Sequence, residues 1–132
     1  MEPRFIFIRP KELVSHERTD LFNVISVLFG MLRTGAFTRP ILVDLATRTI
    51  LDGHHRRNAA RIIGLRRVPC WCVEYLEDPS ITLSARRKGI PVTKEEVLRR
   101  GKERRPYPKK TTMHGYEMPQ TPAIALKDLL ED

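Results

Sequence analysis

The residues with the most chemistry per unit length lie at 52–57, Asp52-Gly53-His54-His55-Arg56-Arg57. They follow the β-branched, apolar Thr49-Ile50-Leu51, which reads as the end of a buried strand. They precede Ala59, Ile62 and Ile63 at helical spacing, with Gly64 as the stop. A strand that passes through glycine into a helix leaves free N–H groups at the helix start, with the positive end of the helix dipole behind them. Such a start binds anions, and phosphate is the commonest biological anion it meets. Asp52 has two readings here, as a ligand of Mg²⁺ that also takes phosphate oxygens, or as the cap of the following helix. His54 and His55 are adjacent and cannot share a helix face, so one points to the phosphate site while the other orients within the protein. Arg56 offers a planar fork suited to phosphate oxygens, and Arg57 reads as solvated. Two further clusters stand apart in the chain. His16-Glu17 is a surface pair unless the fold carries it to the central turn. Lys109-Lys110-Thr111-Thr112-Met113-His114 is a polar run with no helical reason to be there.

The elements that must position these residues follow from the hydropathy pattern. Residues 4–8 read as a first strand. Thr19 or Asp20 caps a helix over about 20–34, in which Leu21, Val24, Ile25, Leu28, Met31 and Leu32 turn one face to the core and Gly35 is the stop. Strands at 41–44 and 48–52 form a hairpin that feeds the central turn, and Val68 to Tyr75 is a further strand. Residues 77–92 lack periodicity and read as a connection. Thr93 with Glu96 three residues on fits a capping box for a short helix to about Arg100. Residues 101–122 are broken by prolines and glycine, and the apolar residues of 124–130 dock the tail back. The expectation is an α+β sandwich, a mixed sheet with helices packed on it. It forms one domain over 1–132, with a core at about 4–76 and a C-terminal lid or tail at about 93–132.

Composition bounds the class. A chain of 132 residues, 41% apolar and 30% charged, is a globular domain with room for one core. No apolar run approaches the ~20 residues of a membrane span, and the expected location is the cytoplasm. The net charge of +8 points to an anionic partner, either a nucleotide or nucleic acid, unless it marks only a solvated basic face. Cys70 and Cys72 flank Trp71, a spacing too tight for an unstrained disulfide and too few ligands for zinc, so they read as small buried side chains.

The run Ile-Leu-Asp-Gly-His-His-Arg, a helix, then Gly-x-x-x-Val-Pro and a strand resembles the ParB/sulfiredoxin superfamily and, within it, most nearly the archaeal free L-serine kinases. Ser15-His16-Glu17 after the first strand, Lys110-Thr111-Thr112-Met113-His114, and Leu126-Lys127-Asp128-Leu129 follow the same pattern in the same order. The resemblance implies an ATP- or ADP-dependent, Mg²⁺-dependent phosphorylation of free L-serine to O-phospho-L-serine, serving cysteine and serine metabolism. It implies Glu17 as the base, Asp52 beside the metal and reacting centre, and Gly53, His54, His55 and Arg56 on the nucleotide phosphates. Thr111, Thr112 and His114 would close over the amino acid and contact its carboxylate. The chain departs from the pattern at Met113, where an arginine is usual, and at Arg57, where an aromatic is usual. Arg105 or Lys110 would then have to grip the carboxylate. Sulfiredoxin chemistry is ruled out because His54 stands where the reactive cysteine would be. ParB-like nucleotide or DNA binding, as a nuclease or regulator, is the alternative. A helix-turn-helix reader is not part of it, because the chain after the core is too short.

Overall fold

The computed structural model describes residues 2–132. In chain order the elements are β1 (Arg4–Ile8), α1 (Leu21–Thr34), β2 (Ala36–Phe37), β3 (Ile41–Asp44), β4 (Ile50–Asp52), α2 (His54–Ile63) and β5 (Val68–Val73). They continue with β6 (Thr82–Ala85), α3 (Lys94–Lys102), β7 (Thr112–Gly115), β8 (Ile124–Ala125) and α4 (Leu126–Leu129). The central sheet has the order β1-β5-β3-β4. β3 and β5 run parallel at its centre, while β1 and β4 pair antiparallel at the edges, so the sheet is mixed. This is the α+β arrangement of a mixed sheet with packed helices.

Alternation along the strands divides the core between the two faces of this sheet. Ile41, Val43, Ile50, Val68, Cys70 and Cys72 face one side, where Val24 and Met31 of α1, Ala59 and Ala60 of α2 and Leu126 and Leu129 of α4 cover them. Leu42, Leu51 and Val73 face the other side, against Tyr75, Ile81, Val97 of α3 and Tyr107. Every residue of β3 is therefore buried, as expected for a strand covered on both faces. Full burial of each large aliphatic side chain stabilises the fold by about 1.5–3 kcal/mol.

Caps fix where the helices begin and end. The Asp20 carboxylate accepts from the backbone N–H of Phe22 at 2.8 Å, and Gly35 ends α1 in the left-handed region at φ 66°. Thr93 accepts from the N–H of Glu96 at 3.0 Å at the start of α3. Two segments differ from expectation. α1 turns one face inward, Val24, Val27, Leu28 and Met31, but Leu21, Ile25 and Leu32 of the expected stripe are exposed, and so are Phe22 and Phe29. The helix carries apolar residues around most of its circumference, so a list of apolar positions does not say which stripe is covered. Residues 77–92 are not merely a connection, because β6 within them pairs antiparallel with β7. That pairing is long-range and leaves no periodicity in either short segment. No helix among the described residues is long and apolar enough to cross a membrane.

Candidate active site

Packing brings the loop after β1 to the start of α2. Val14 bridges Thr49, its carbonyl accepting from Ile50 N at 2.8 Å, so the loop lies along β4. On its other side the carbonyl of His16 accepts from Tyr107 N and that of Tyr107 accepts from Arg18 N, each at 2.8 Å. Residues 14–18 are thus laced between a core strand and the C-terminal segment, and Glu17 has little freedom. Buried Arg57 reinforces this placement. Its guanidinium donates to the carbonyls of Leu13 (2.9 Å) and Pro10 (3.4 Å) and to the hydroxyl of Ser15. The same side chain that reads as solvated from sequence is a staple, because α2 packs directly beneath the loop and its first turn meets the carbonyls of Pro10 and Leu13.

Both histidines of the turn also reach back to this loop. His54 Nε2 accepts from the backbone N–H of His16 at 3.2 Å, and His55 Nε2 accepts from that of Asp20 at 3.2 Å. Each ring therefore carries its hydrogen on Nδ1 when neutral. Burial disfavours the charged form, and the pKa of His54 falls well below the ordinary histidine value, with that of His55 lowered in the same sense. α2 itself begins at Gly53, φ 114°, with no side chain capping it. The capping reading of Asp52 is thereby set aside: its carboxylate lies instead near Arg39 (3.4 Å) and Arg56 (3.8 Å). The first N–H groups of α2 are left without a side-chain acceptor, at the positive end of the helix dipole.

β7 closes the other side. Glu17 Oε1 accepts twice from Thr112, from its backbone N–H at 2.7 Å and from its hydroxyl at 2.6 Å. The hydroxyl oxygen of Thr112 also lies 3.0 Å from Nε2 of His16, whose Nδ1–H donates to the carbonyl of Ile50 at 2.7 Å. His16 is fully buried, and desolvation, helped by nearby His114, lowers its pKa to about 4. Tyr75, whose hydroxyl burial keeps protonated, donates to His114 Nε2 at 2.7 Å. His114 is likewise lowered to about 4 by burial, and its Nδ1 has no hydrogen-bond partner. The cleft between these elements holds about 150 Å³ and is lined by Glu17, Asp52, Gly53, His54, His55, Thr112 and His114, with Arg18, Arg86 and Met113 at its rim. That is room for one small molecule, with a larger ligand reaching it only from outside.

A carboxylate oxygen held at a small cleft, opposite an open helix N-terminus, is an arrangement for deprotonating a hydroxyl beside a bound phosphate. Comparison with known proteins bears on the fold. No family model matches the chain. A ParB-like protein of Sulfolobus acidocaldarius is 35% identical over 69 residues, 52% of this chain and 34% of the relative. An ATP-dependent L-serine kinase of Desulfurococcus mucosus is 30% identical over 105 residues, 73% of this chain and 40% of the relative. A solved free serine kinase, a glutamate-to-glutamine mutant in complex with AMP, superposes with a TM-score of 0.82 at 14% identity, over 98% of this chain and 95% of that one. The fold is ParB/sulfiredoxin-like. The ParB/sulfiredoxin-like chain spans 34% and 40% of the length of the curated relatives it matches.

Within this ParB/sulfiredoxin-like fold, the expected site residues divide. Glu17, Asp52, Gly53, His54, His55, Thr112 and His114 line one cleft. Thr111 does not: it is fully buried, and its hydroxyl donates to the carbonyl of Pro108 at 2.6 Å. Thr111 ends the turn before β7, with its hydroxyl folded back into that turn, while Thr112 opens the strand and faces Glu17, so only Thr112 meets the cleft. Arg56 does not line the cleft either. Its guanidinium packs behind the turn, 3.4 Å from the carbonyl of Pro40 and 3.8 Å from Asp52, with burial lowering its pKa. Of the cations considered for a carboxylate, Arg105 is exposed and bonds Glu103 instead. Arg86 and Arg18 at the rim were missed; only the basic cluster at 86–88 hinted at the first, and nothing pointed to the second.

No group of three or more His, Cys, Asp and Glu is arranged among the described residues to hold a metal alone. A hard cation such as Mg²⁺ that arrives with phosphates needs only one or two carboxylates from protein, and Asp52 at the mouth of the turn fits that demand.

Proposed function

We propose that this chain transfers the terminal phosphate of ATP or ADP to the hydroxyl of free L-serine, giving O-phospho-L-serine. The observation that carries the reading is Glu17, gripped on one oxygen by Thr112 and lining the same 150 Å³ cleft as the open start of α2. The resemblance of fold and sequence to serine kinases supports it. In this reading the phosphates lie on the N–H groups of Gly53, His54 and His55, and the small cleft holds the amino acid while the nucleoside stays outside. Glu17 takes the hydroxyl proton as the serine oxygen attacks phosphorus and the bond to the leaving nucleotide breaks. Asp52 would hold Mg²⁺ together with phosphate oxygens, where the ion would supply charge neutralisation. Arg56 acts from behind the turn by orienting Asp52. Arg86, Arg18 and His114 are the donors within reach of a carboxylate, which replaces the role expected of an arginine at Met113. Such catalysis is chiefly positioning and charge stabilisation.

The test is a coupled assay with free serine, Mg²⁺ and a panel of nucleotides. Wild type forms phosphoserine, and Glu17→Gln loses about 10²–10⁴-fold in rate while nucleotide binding persists. Equal rates in the two proteins, or no transfer from any donor, would overturn the reading. One observation favours a second function in polyanion binding. A cleft of about 940 Å³ on the far side of the His16 loop carries Lys11, Arg61, Arg99, Lys102 and Arg104. Duplex DNA binding that weakens steeply with salt, and is indifferent to Glu17→Gln, is its signature.

A further inference from the structure

The chain Ile50–His16–Thr112–Glu17 has a proton count that does not close when the protein rests. The carbonyl of Ile50 only accepts, so the His16 hydrogen must sit on Nδ1. Burial keeps the ring neutral, which leaves a bare lone pair on Nε2 facing the Thr112 hydroxyl at 3.0 Å. That hydroxyl has one hydrogen and two acceptors, Nε2 of His16 and Oε1 of Glu17 at 2.6 Å. An ionised carboxylate is the stronger acceptor, so the hydrogen goes to Glu17 and the His16 lone pair stays unmet. Oε1 is also occupied by the Thr112 backbone N–H, while Oε2 has no partner among the described residues. The proton of an incoming hydroxyl therefore lands on Oε2.

We propose that the Thr112 hydroxyl is a rotor that turns from Glu17 Oε1 to His16 Nε2 when Glu17 is protonated, making Thr112 and His16 positioning residues for the base. The proposal rests on the phosphotransfer reading for its role in a reaction, though not for the rotor itself. In the step, the acceptor O–H bond breaks and its proton bonds to Oε2. The acceptor oxygen bonds to phosphorus and the leaving nucleotide departs with the P–O electron pair. Neutral Glu17 is a weaker acceptor on Oε1, which keeps the backbone N–H, and the freed hydroxyl hydrogen satisfies His16. No proton enters or leaves His16. When Glu17 returns its proton to water the rotor turns back. Thr112 so stabilises the carboxylate before the reaction, and His16 stabilises the acid after it. The other charged or titratable groups facing Glu17 are Arg18 on its own loop, Asp52, His54 and His55 at the turn, His114 on β7 and Arg86 after β6.

This use of Thr112 differs from direct contact with an amino acid, since both of its polar groups are already spent on Glu17. Imidazole ¹⁵N spectra of the protein without substrate test the rotor directly. In wild type at neutral pH, His16 is expected as the Nδ1–H tautomer with an unbonded Nε2. In Glu17→Gln, which mimics the neutral acid, the Nε2 resonance moves toward the hydrogen-bonded position. Adding Thr112→Val cancels that move, and adding Thr112→Ser instead keeps it. An unchanged Nε2 resonance in Glu17→Gln, or an imidazolium in wild type, overturns the rotor. In the serine assay, Thr112→Val lowers kcat about tenfold, as loss of one hydrogen bond implies, with the KM for nucleotide unchanged and Thr112→Ser restoring most of the rate. A Thr112→Val enzyme with wild-type kcat overturns the catalytic role. Absence of any serine phosphorylation in wild type overturns the kinase reading alone, because the spectra still decide the rotor.

Discussion

Gly53→Ala is the substitution whose cost the structure sets most fully. Gly53 lies at φ 114°, where an L side chain crowds its own backbone. A left-handed conformation costs a non-glycine residue about 1–2 kcal/mol. An added Cβ would also lie 2.7 Å from a guanidinium nitrogen of Arg56, and 3.1 and 3.2 Å from two carbons of Ile41. Ile41 is fully buried in the central strand and cannot retreat. Overpacking of this kind adds about 1–3 kcal/mol, so the sum is about 2–5 kcal/mol. For a chain of this length that corresponds to a fall of roughly 7–18 °C in the melting midpoint. Gly35→Ala separates the two contributions, because its φ of 66° is also left-handed but nothing lies within 4 Å of the added carbon. It should cost only the backbone share, about 1–2 kcal/mol. Scanning calorimetry of the three proteins is the assay. Equal midpoints for Gly53→Ala and Gly35→Ala would refute the claim that Ile41 and Arg56 enclose the turn. The same variant pushes Arg56 off Asp52, so its nucleotide affinity should fall as well.

Three other outcomes follow from the same geometry. Arg57→Ala leaves the Leu13 carbonyl and the Ser15 hydroxyl without their donor, while the Pro10 carbonyl keeps the Leu13 N–H, and should lower urea stability by about 3 kcal/mol; Arg57→Lys should not restore it, since an ammonium cannot fork to both. His16 takes a proton near pH 4 when folded but near 6.5 when unfolded, so below 6.5 the unfolded chain holds more protons. The stability this ring confers is therefore complete above pH 6.5 and is lost as pH falls toward 4, by up to about 3 kcal/mol, which melting midpoints across that window will register as a steady decline. Thr93→Ala removes the α3 cap and should cost about 1 kcal/mol in denaturant titration while leaving serine phosphorylation at the wild-type rate.

How much of this was legible depended on whether the cause was local. The turn at Gly53, the stop at Gly64, the cap at Thr93 and the hairpin of β3 and β4 have their reasons within a few residues, and each is written in residue type. Glu17 was singled out only through a resemblance, because a carboxylate beside a histidine says nothing about which strand will run beside it. Arg57 reads as solvated for the same reason: one of two adjacent arginines meets the carbonyls of a distant loop while the other packs behind the turn, and sequence carries no mark of which. Thr111 and Thr112 look equivalent in the sequence, yet Thr111 is buried in the turn that precedes β7, bonded to Pro108, and Thr112 opens the strand against Glu17. The β6–β7 pair, four residues each and far apart in sequence, left no pattern that a window of neighbours could detect.

The lacing of Glu17 has a consequence for synthesis. Its grip comes from Thr112, and its loop is held by Tyr107, both of which follow α3. While the ribosome is still adding those residues, the sheet and first two helices can form, but the glutamate has nothing to hold it. A nascent chain therefore lacks this clamp until the segment after α3 has emerged, and a nick anywhere between α3 and β7 should free Glu17 while leaving most of the mass of residues 2–132 folded.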